Sequence, residues 1–310
     1  MLIPVVMLMS LVAVLAYAVN REKGVNTVLQ GRESDIDHAR YAAEAGLLAL
    51  NARVQSLGCG ATYPTAASPW SQSAFGSAAY SAYATTATGN TLTLVSTGTY
   101  KGSSVTVRRS NVIVYQSATQ SQSLAPGSTG IDTYIREGSN TNFGDESRMR
   151  LKKSERYPLI QFDLAAIPLK SLVTEALLRI YFDSPDGGAT VSAYRVQSFW
   201  QEGNGQSSSG ANWTRRSSSA FWSSSGGDFH STHVSESPIY YSYSWYLGTY
   251  YYIELDITEA TNAWMLGRFP NYGVLLKSSS TENHYLYSSD TSSSDFRPAL
   301  TVTYYPPCTY

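Results

Sequence analysis

Residues 1–19 read MLIPVVMLMSLVAVLAYAV and contain no charged side chain. As a helix, 19 residues span about 28 Å, close to the thickness of a bilayer core. The first charges follow at once, in Arg21, Glu22 and Lys23. Three interpretations of this segment compete: the apolar part of a signal peptide, a single-pass membrane anchor, and the N-terminus of a filament-forming subunit.

The flanks of the segment favour the third interpretation. A secretory signal begins with basic residues and ends at a small-residue cleavage site. No Lys or Arg precedes the apolar run, and no A-x-A site follows it. We therefore expect that a basic leader has been removed and that Met1 is the processed, N-methylated first residue. A plain membrane anchor stays open as the alternative.

The chain after the apolar run keeps a helical pattern but becomes amphipathic. Between Arg21 and Gln55, apolar residues recur mainly at steps of three or four, and Gly58 and Gly60 supply a stop. The pattern predicts one helix over about 2–57, roughly 80 Å long. A globular domain has no use for such a helix, whereas a filament can bury the apolar halves of many copies along its centre.

The overall composition excludes some classes of protein. Charged residues make up 15% of the chain, the formal net charge is −1, and there are 24 Tyr and 6 Trp. A nucleic-acid-binding protein would normally show a basic excess, so we expect no nucleic-acid partner. The profile favours an extracellular protein rich in β-structure.

The rest of the chain divides into three segments. Short β-branched runs separated by Gly turns predict a small antiparallel β-meander head over 58–116. The polar stretch 117–129 is predicted to be a linker. The last segment, 130–310, contains at least eight strand-like runs and one short helical pattern over 257–266, which fits a jelly-roll sandwich. The predicted fold class is α+β: a long helix with a small meander, followed by an all-β sandwich.

The long helix carries a family resemblance. His38-Ala-Arg-Tyr-Ala-Ala-Glu-Ala-Gly-Leu47 resembles the A-x-x-A-A-E-A-G-L signature of PilX-type minor pilins, within the type IV pilin superfamily. Major pilins carry Glu at the fifth position, where this chain has Val5. The resemblance implies insertion in the inner membrane before assembly, other pilins and the assembly machinery as partners, and a helical homo-oligomer outside the cell. The residues expected to mediate assembly are Leu2, Ile3, Val5, Val6, Leu8, Leu11, Leu15 and Glu44.

The C-terminal segment resembles a second family, the DNRLRE domains, which are β-sandwiches related to carbohydrate-binding modules. The matching motifs, in order, include Asp132-Thr-Tyr134, Tyr157-Pro-Leu-Ile-Gln-Phe-Asp-Leu-Ala-Ala-Ile-Pro168, Asn212-Trp-Thr214, Gly226-Gly-Asp228 and Arg297-Pro-x-Leu-x-Val-x-Tyr304. The resemblance implies binding of carbohydrate or matrix. From the strand pattern we expect Phe162, Leu177, Ile180, Leu275 and Val302 in the core, and Asp132, Asp163 and Asp256 at strand ends.

No catalytic motif stands out. The chain has no G-x-S-x-G or H-E-x-x-H sequence, and His230 and His233 form an H-x-x-H pair without a defined third ligand. We expect a protein that is not an enzyme and needs no cofactor. A structural calcium ion at Asp183 and Asp186 is one interpretation of the turn DSPDGG; a hairpin turn with solvated carboxylates is the other, and it is favoured.

Two further features suggest contacts. The stretch 239–252 contains seven Tyr and one Trp, and aromatic rings with polar tips suit wet interfaces and stacking on sugars. Core packing, subunit contact and adhesion are the competing uses of Tyr240, Tyr241, Tyr243, Trp245 and Tyr246. The only two cysteines, Cys59 and Cys308, predict one disulfide in an exported protein; two free thiols are the alternative.

Overall fold

The computed structural model describes residues 2–73, 77–86, 90–125, 131–185, 187–244 and 248–309, without the side chains of 2–20, 22–29, 73 and 184. The chain forms two compact units. The helix unit contains Met1–Tyr115 and Cys308–Tyr310, and the β unit contains Gln116–Pro307. Most of the regular structure is antiparallel β-sheet.

The helix unit consists of one helix and one sheet. Helix α1 spans Leu2–Leu57, and the predicted helix is confirmed over 30–57, where side chains are described. The sheet has the order β1-β2-β3-β4, which confirms the predicted antiparallel meander. Its strands are β1 Trp70–Ser73, β2 Ala79–Thr86, β3 Leu92–Tyr100 and β4 Ser103–Val112.

One face of α1 packs on this sheet through small and aliphatic side chains. Ala39, Ala42, Ala43, Leu50 and Val54 are fully buried, and they recur at helical spacing. Gly98 of β3 lies against the α1 backbone, where a Cβ atom would overlap the carbonyl oxygen of Ala39. The absence of a side chain at Gly98 therefore allows the helix and the sheet to approach closely.

The predicted disulfide is confirmed. Cys59 follows α1, and its sulfur is bonded to that of Cys308 across 249 positions of sequence. Cys308 is almost fully buried, and its amide donates to the carbonyl of Val114 at 2.8 Å. The last residues of the chain thus belong to the core of the helix unit, not to the C-terminal domain predicted over 130–310.

The β unit contains two antiparallel sheets. The smaller has the order β11-β10-β14-β8-β6; the larger has the order β12-β13-β9-β15-β7, with β16 paired to both β9 and β5. Two short helical elements accompany the sheets, α2 (Thr258–Met265) and a 3-10 turn (Ser294–Phe296). The strands are β5 Gln120–Leu124, β6 Ile131–Arg136, β7 Arg148–Leu151, β8 Arg156–Gln161, β9 Leu172–Ser184, β10 Thr190–Arg195, β11 Ser235–Pro238, β12 Tyr240–Ser244, β13 Gly248–Asp256, β14 Val274–Ser278, β15 His284–Tyr287 and β16 Ala299–Tyr305.

Both sheets contribute to one hydrophobic core. Val274 and Leu276 of the smaller sheet belong to the same buried cluster as Ile180 and Leu255 of the larger. Of the predicted core residues, Phe162, Ile180, Leu275 and Val302 are buried. Leu177 is only half-buried, because successive residues of a strand face opposite sides and its neighbour Leu178 takes the inward position.

The segment predicted as a linker is partly ordered sheet. Gln120–Leu124 forms β5 and pairs with β16 over five residues. The sequence QSQSL has little apolar content, but an edge strand is held by main-chain hydrogen bonds and needs few buried side chains. Residues 126–130, also within the predicted linker, lie outside the described residues. The β unit therefore begins near Gln116 rather than at 130.

The structure yields no candidate membrane span. Among the residues that it describes, no helix is long and apolar enough to cross a bilayer. The apolar segment predicted from the sequence ends at Val19, and its side chains are not among those described.

Candidate ligand-binding face

The outer face of the larger sheet carries a row of aromatic rings. Tyr240 of β12 lies opposite Tyr252 of β13, which in turn lies opposite Tyr181 of β9. The neighbours Phe182 and Ile253 point into the core, so the alternation of strand residues sends the Tyr side chains outward. Three neighbouring strands thus present three Tyr rings across roughly 10 Å.

Three more rings extend this row. The ring centroids of Tyr240 and Tyr252 are 5.6 Å apart, and those of Tyr181 and Tyr252 are 6.3 Å apart. Tyr250 lies 5.7 Å from Tyr181, and Phe296 lies 5.5 Å from it. Tyr287 stacks on Phe296 at 5.0 Å. The aromatic row, as defined here, consists of Tyr181, Tyr240, Tyr250, Tyr252, Tyr287 and Phe296.

Polar side chains contact the aromatic row at its centre and at one end. At the centre, the guanidinium of Arg179 lies 5.3 Å from the Tyr252 centroid and is bonded to Glu254, with Nε donating at 3.0 Å. At one end, the Tyr287 hydroxyl donates to Asp183 at 2.8 Å. Burial and this hydrogen bond raise the pKa of Tyr287, so its hydroxyl stays protonated at neutral pH. These contacts restrict the positions of the Tyr252 and Tyr287 rings.

The predicted tyrosines separate onto two faces. Tyr240 belongs to the aromatic row, whereas the side chains of Tyr241 and Tyr243 are 78% and 74% exposed and make no contact with it among the described ring pairs. Trp245 and Tyr246 lie outside the described residues. Of the other five members of the row, Tyr250 and Tyr252 lie in the Tyr-rich stretch but were not among the predicted contact residues. Tyr181, Tyr287 and Phe296 lie outside the stretch and were missed.

The residues predicted to mediate assembly are placed only in part. Leu2, Ile3, Val5, Val6, Leu8, Leu11 and Leu15 belong to α1, but their side chains, like the whole of Met1, lie outside the described part. Glu44 is described and is exposed on the helix surface away from the sheet. Its neighbours Ala42 and Ala43 are buried, which fits the close packing expected of the small residues in this motif.

Asp183, one of the two residues considered for calcium, is engaged by protein groups. Besides the Tyr287 hydroxyl, its carboxylate pairs with Arg148, whose Nη1 lies 2.9 Å from Oδ2. Asp186 lies outside the described residues. Over the described ranges, no group of three or more His, Cys, Asp or Glu side chains is arranged to hold a metal ion. His230 and His233 instead line an open cleft with Arg195.

Two neighbouring carboxyl groups, those of buried Asp132 and half-buried Glu202, lie elsewhere in the β unit. Asp163 and Asp256 accept hydrogen bonds at turns, as expected of residues at strand ends. Asp132 is the second residue of β6 and so also lies close to a strand end, but it is only 1% exposed. Its Oδ2 accepts from the Ser289 amide at 2.7 Å, and its own amide donates to Glu202. Burial raises the pKa of Asp132 to about 7 and that of Glu202 to about 8.

Two polar motifs of the sequence hold loops in place. Asn212, in the sequence Asn-Trp-Thr, is fully buried; its Nδ2 donates to the carbonyl of Asn140 and its Oδ1 accepts from Arg215. Asp228, in Gly-Gly-Asp, accepts hydrogen bonds from Ser198 and Ser223. These side chains are committed to the fold, and a buried Asn212 is not accessible to glycosylation in the folded chain.

Comparison with known proteins places the β unit in a family. No curated protein matches the chain. A family model described as the disaggregatase related repeat domain matches residues 136–302, more than half of the 310 residues. The resemblance of the N-terminal region to pilins stays a prediction. The match begins at the last residue of β6 and ends within β16, so it covers most of both sheets and the whole aromatic row. The chain therefore belongs to the disaggregatase related repeat domain family.

Proposed function

We propose that the chain is a structural subunit of an extracellular type IV pilus-like filament, which displays the β unit for contact with glycans or matrix. The observation that carries the proposal is the length of α1. It has 56 residues, but its fully buried side chains among those described begin at Ala39. The sheet of the helix unit needs only the last part of such a helix.

Assembly of the subunits would use the remainder of the helix. Residues 1–19 are uncharged, and packing them between neighbouring helices removes a large apolar area from lipid or water. Glu44 is exposed and is available to a neighbouring subunit. In this proposal the chain is held in the inner membrane before assembly, works with other pilins and the assembly machinery, and functions outside the cell.

Electron microscopy of filaments sheared from the source cells tests this proposal, together with intact-mass analysis of their main subunit. We expect filaments built mainly of this chain, with Met1 as the N-terminal residue and a mass that reports its methylation. A chain that stays in the membrane fraction as a monomer, or that is present in filaments only in trace amounts, contradicts a role in the shaft.

A second candidate function is that of a pilus-tip or membrane-anchored adhesin, in which the same β unit acts as a lectin-like module. The aromatic row favours it, because a fixed set of half-exposed rings on a sheet face is suited to stacking on sugar rings. This proposal includes that the β unit has the jelly-roll sandwich architecture of carbohydrate-binding modules. In this role the β unit would bind a ligand and catalyse no reaction.

Glycan binding by full-length protein tests the adhesin candidate. Replacing Tyr252→Ala removes the ring at the centre of the aromatic row, and we expect at least about a tenfold loss of affinity from lost stacking. The matched control is Tyr243→Ala, because Tyr243 is more exposed and lies outside the row. Equal binding by both variants and the parent contradicts a role of the row in recognition.

A further inference from the structure

A cleft between the end of β10 and helix α2 combines cationic and aromatic side chains. It has a volume of about 240 Å³ and is lined by Arg195, His230, His233, Glu259, Ala263 and Phe269, among others. The volume is below the roughly 300 Å³ at which pockets for drug-sized ligands begin, so the cleft suits a single small ring. None of these residues belongs to the aromatic row.

The wall that carries the two His residues is held by main-chain hydrogen bonds. The amide of His230 donates to the carbonyl of Arg195 at 2.9 Å, and the amide of Val234 donates to the carbonyl of Ala193 at 2.8 Å. Both bonds tie the H-x-x-H loop to the last residues of β10. His230 and His233 therefore line the same cleft as Arg195.

The opposite wall is set by the end of α2. Gly267 has a positive φ of 70°, its amide donates to the carbonyl of Trp264, and the amide of Arg268 donates to that of Ala263. This pair of bonds is a Schellman motif, which turns the chain sharply after a helix. It brings Phe269 over the cleft, with its centroid 4.1 Å from Cζ of Arg195.

The cleft contains one fixed positive charge, on Arg195, and one fixed negative charge, on Glu259. Within the described part of the chain, Arg195 makes no ion pair, and its guanidinium lies against the ring of Phe269. The Nδ1 atom of His230 lies 3.3 Å from the Thr232 amide, from which it can accept, and 3.4 Å from the Thr232 carbonyl oxygen, to which it can donate, according to its tautomer. Glu259, in the first turn of α2, adds one acceptor.

We propose that this cleft binds a small carboxylate ligand with hydroxyl groups, that is, an acidic monosaccharide unit. The planar guanidinium of Arg195 matches a carboxylate with two hydrogen bonds. His230 and His233 supply further donors, Glu259 accepts from ligand hydroxyls, and the exposed ring of Phe269 covers the apolar side of the sugar. The site is separate from the aromatic row and does not depend on filament assembly.

The test compares two ligands that differ in one group. Glucuronate and glucose share the ring but only the first has a carboxylate, and each is titrated into full-length protein in detergent by ligand-observed NMR. Inorganic phosphate is titrated in the same way. We expect saturable binding of glucuronate and at least about tenfold weaker binding of glucose, since a charge-assisted hydrogen bond is lost. Preference for glucose, or phosphate binding tighter than that of glucuronate, overturns the proposal.

Variants locate the site. Arg195→Gln should weaken glucuronate binding at least about tenfold. Arg195→Lys should lose less affinity, because it keeps the positive charge although it lacks the two parallel donors of the guanidinium. Arg136→Gln is the matched control, since Arg136 is an exposed residue of the smaller sheet that does not line the cleft. Thermal midpoints equal to the parent's establish that the variants fold. Unchanged affinity in Arg195→Gln and Arg195→Lys, or an equal loss in Arg136→Gln, overturns the assignment.

Discussion

The helix unit and the β unit stabilise their cores by different means. The helix unit packs one face of α1 on one four-stranded sheet, and its core includes the disulfide-bonded Cys308. The β unit encloses its core between two sheets and needs no cross-link. A small core buries too little apolar surface to offset chain entropy by a wide margin, so a covalent link matters more there. The comparison predicts that the two units respond differently to the same kind of change.

The largest difference should come from the disulfide. Replacing Cys59→Ser and Cys308→Ser together should lower the free energy of unfolding of the helix unit by about 2–5 kcal/mol, the usual cost of removing a native disulfide from a small domain. The β unit should keep its melting temperature. Differential scanning calorimetry with limited proteolysis distinguishes the two units, and reductant added to the parent should reproduce the result. An equal loss of stability in both units would contradict the conclusion that the disulfide matters mainly for the helix unit.

The close approach of helix and sheet supplies the next test. Gly98→Ala should destabilise the helix unit by about 3 kcal/mol, since the added Cβ would overlap the backbone of Ala39 and Ala43. Gly31→Ala is the matched control: Gly31 is exposed in α1 with nothing within 4 Å of an added Cβ, so the change should stabilise the helix by about 1 kcal/mol. Urea unfolding of both variants measures the sign and size of each change in the free energy of unfolding. A Gly98→Ala variant as stable as the parent contradicts the close packing of helix and sheet.

A pH effect should be confined to the β unit. The folded-state pKa values of Asp132 and Glu202, about 7 and about 8, are above their ordinary values, so the folded state binds these protons more tightly than the unfolded state. Their contribution to stability is complete below about pH 4 and is lost as the pH rises through 7 to 8. We expect the β unit to lose about 2 kcal/mol between pH 5 and pH 8, with half-exposed Glu202 screened by water.

Isosteric variants separate this effect from other titrations. Asp132→Asn keeps an oxygen to accept from the Ser289 amide but removes the titrating proton, so the melting temperature of the β unit should depend less on pH. Asp163→Asn is the control, because Asp163 is exposed and bonds only at a turn. A pH profile that stays the same in Asp132→Asn shows that the carboxyl pair is not its source.

The sequence predicts some elements of the fold and not others. The eight strands expected in the C-terminal segment all form, because β-branched and aliphatic alternation marks strands that bury one face. Among the strands that were missed, β5, β11 and β12 are sheet edges with polar or Tyr-rich sequences, whose hydrogen bonds leave no apolar pattern. Strand β15 was missed as well; it lies between β9 and β7, but its four residues are too few to show an alternating pattern. The Cys59–Cys308 bond could be predicted because the chain offers only one pairing.

The candidate site could be predicted only in part. A run in which nearly every residue is Tyr or Ser does not show which positions face the core, so Tyr240 could not be separated from Tyr241. The adjacent residues Leu177 and Leu178 raise the same difficulty in β9. Tyr181, Tyr287 and Phe296 join the aromatic row through strand pairing between distant segments, which no local pattern reports. The same holds for the cleft at Arg195, because its walls come from separate segments of the chain: β10, the H-x-x-H loop, and α2 with the turn that follows it.

The smallest predicted effect concerns the ion pair that borders the aromatic row. Arg179 and Glu254 are 48% and 31% exposed, so water screens them and a double-mutant cycle with Arg179→Met and Glu254→Gln should give a coupling of about 0.5–1 kcal/mol. Arg179 also lies over Tyr252, so Arg179→Met should weaken glycan binding more than Glu254→Gln does, although both change stability little. The measurement pairs urea unfolding with glycan titration of the same variants. Equal binding by both would mean that Arg179 serves the sheet alone, and the aromatic row would then have to hold its geometry through ring contacts between Tyr252 and its neighbours.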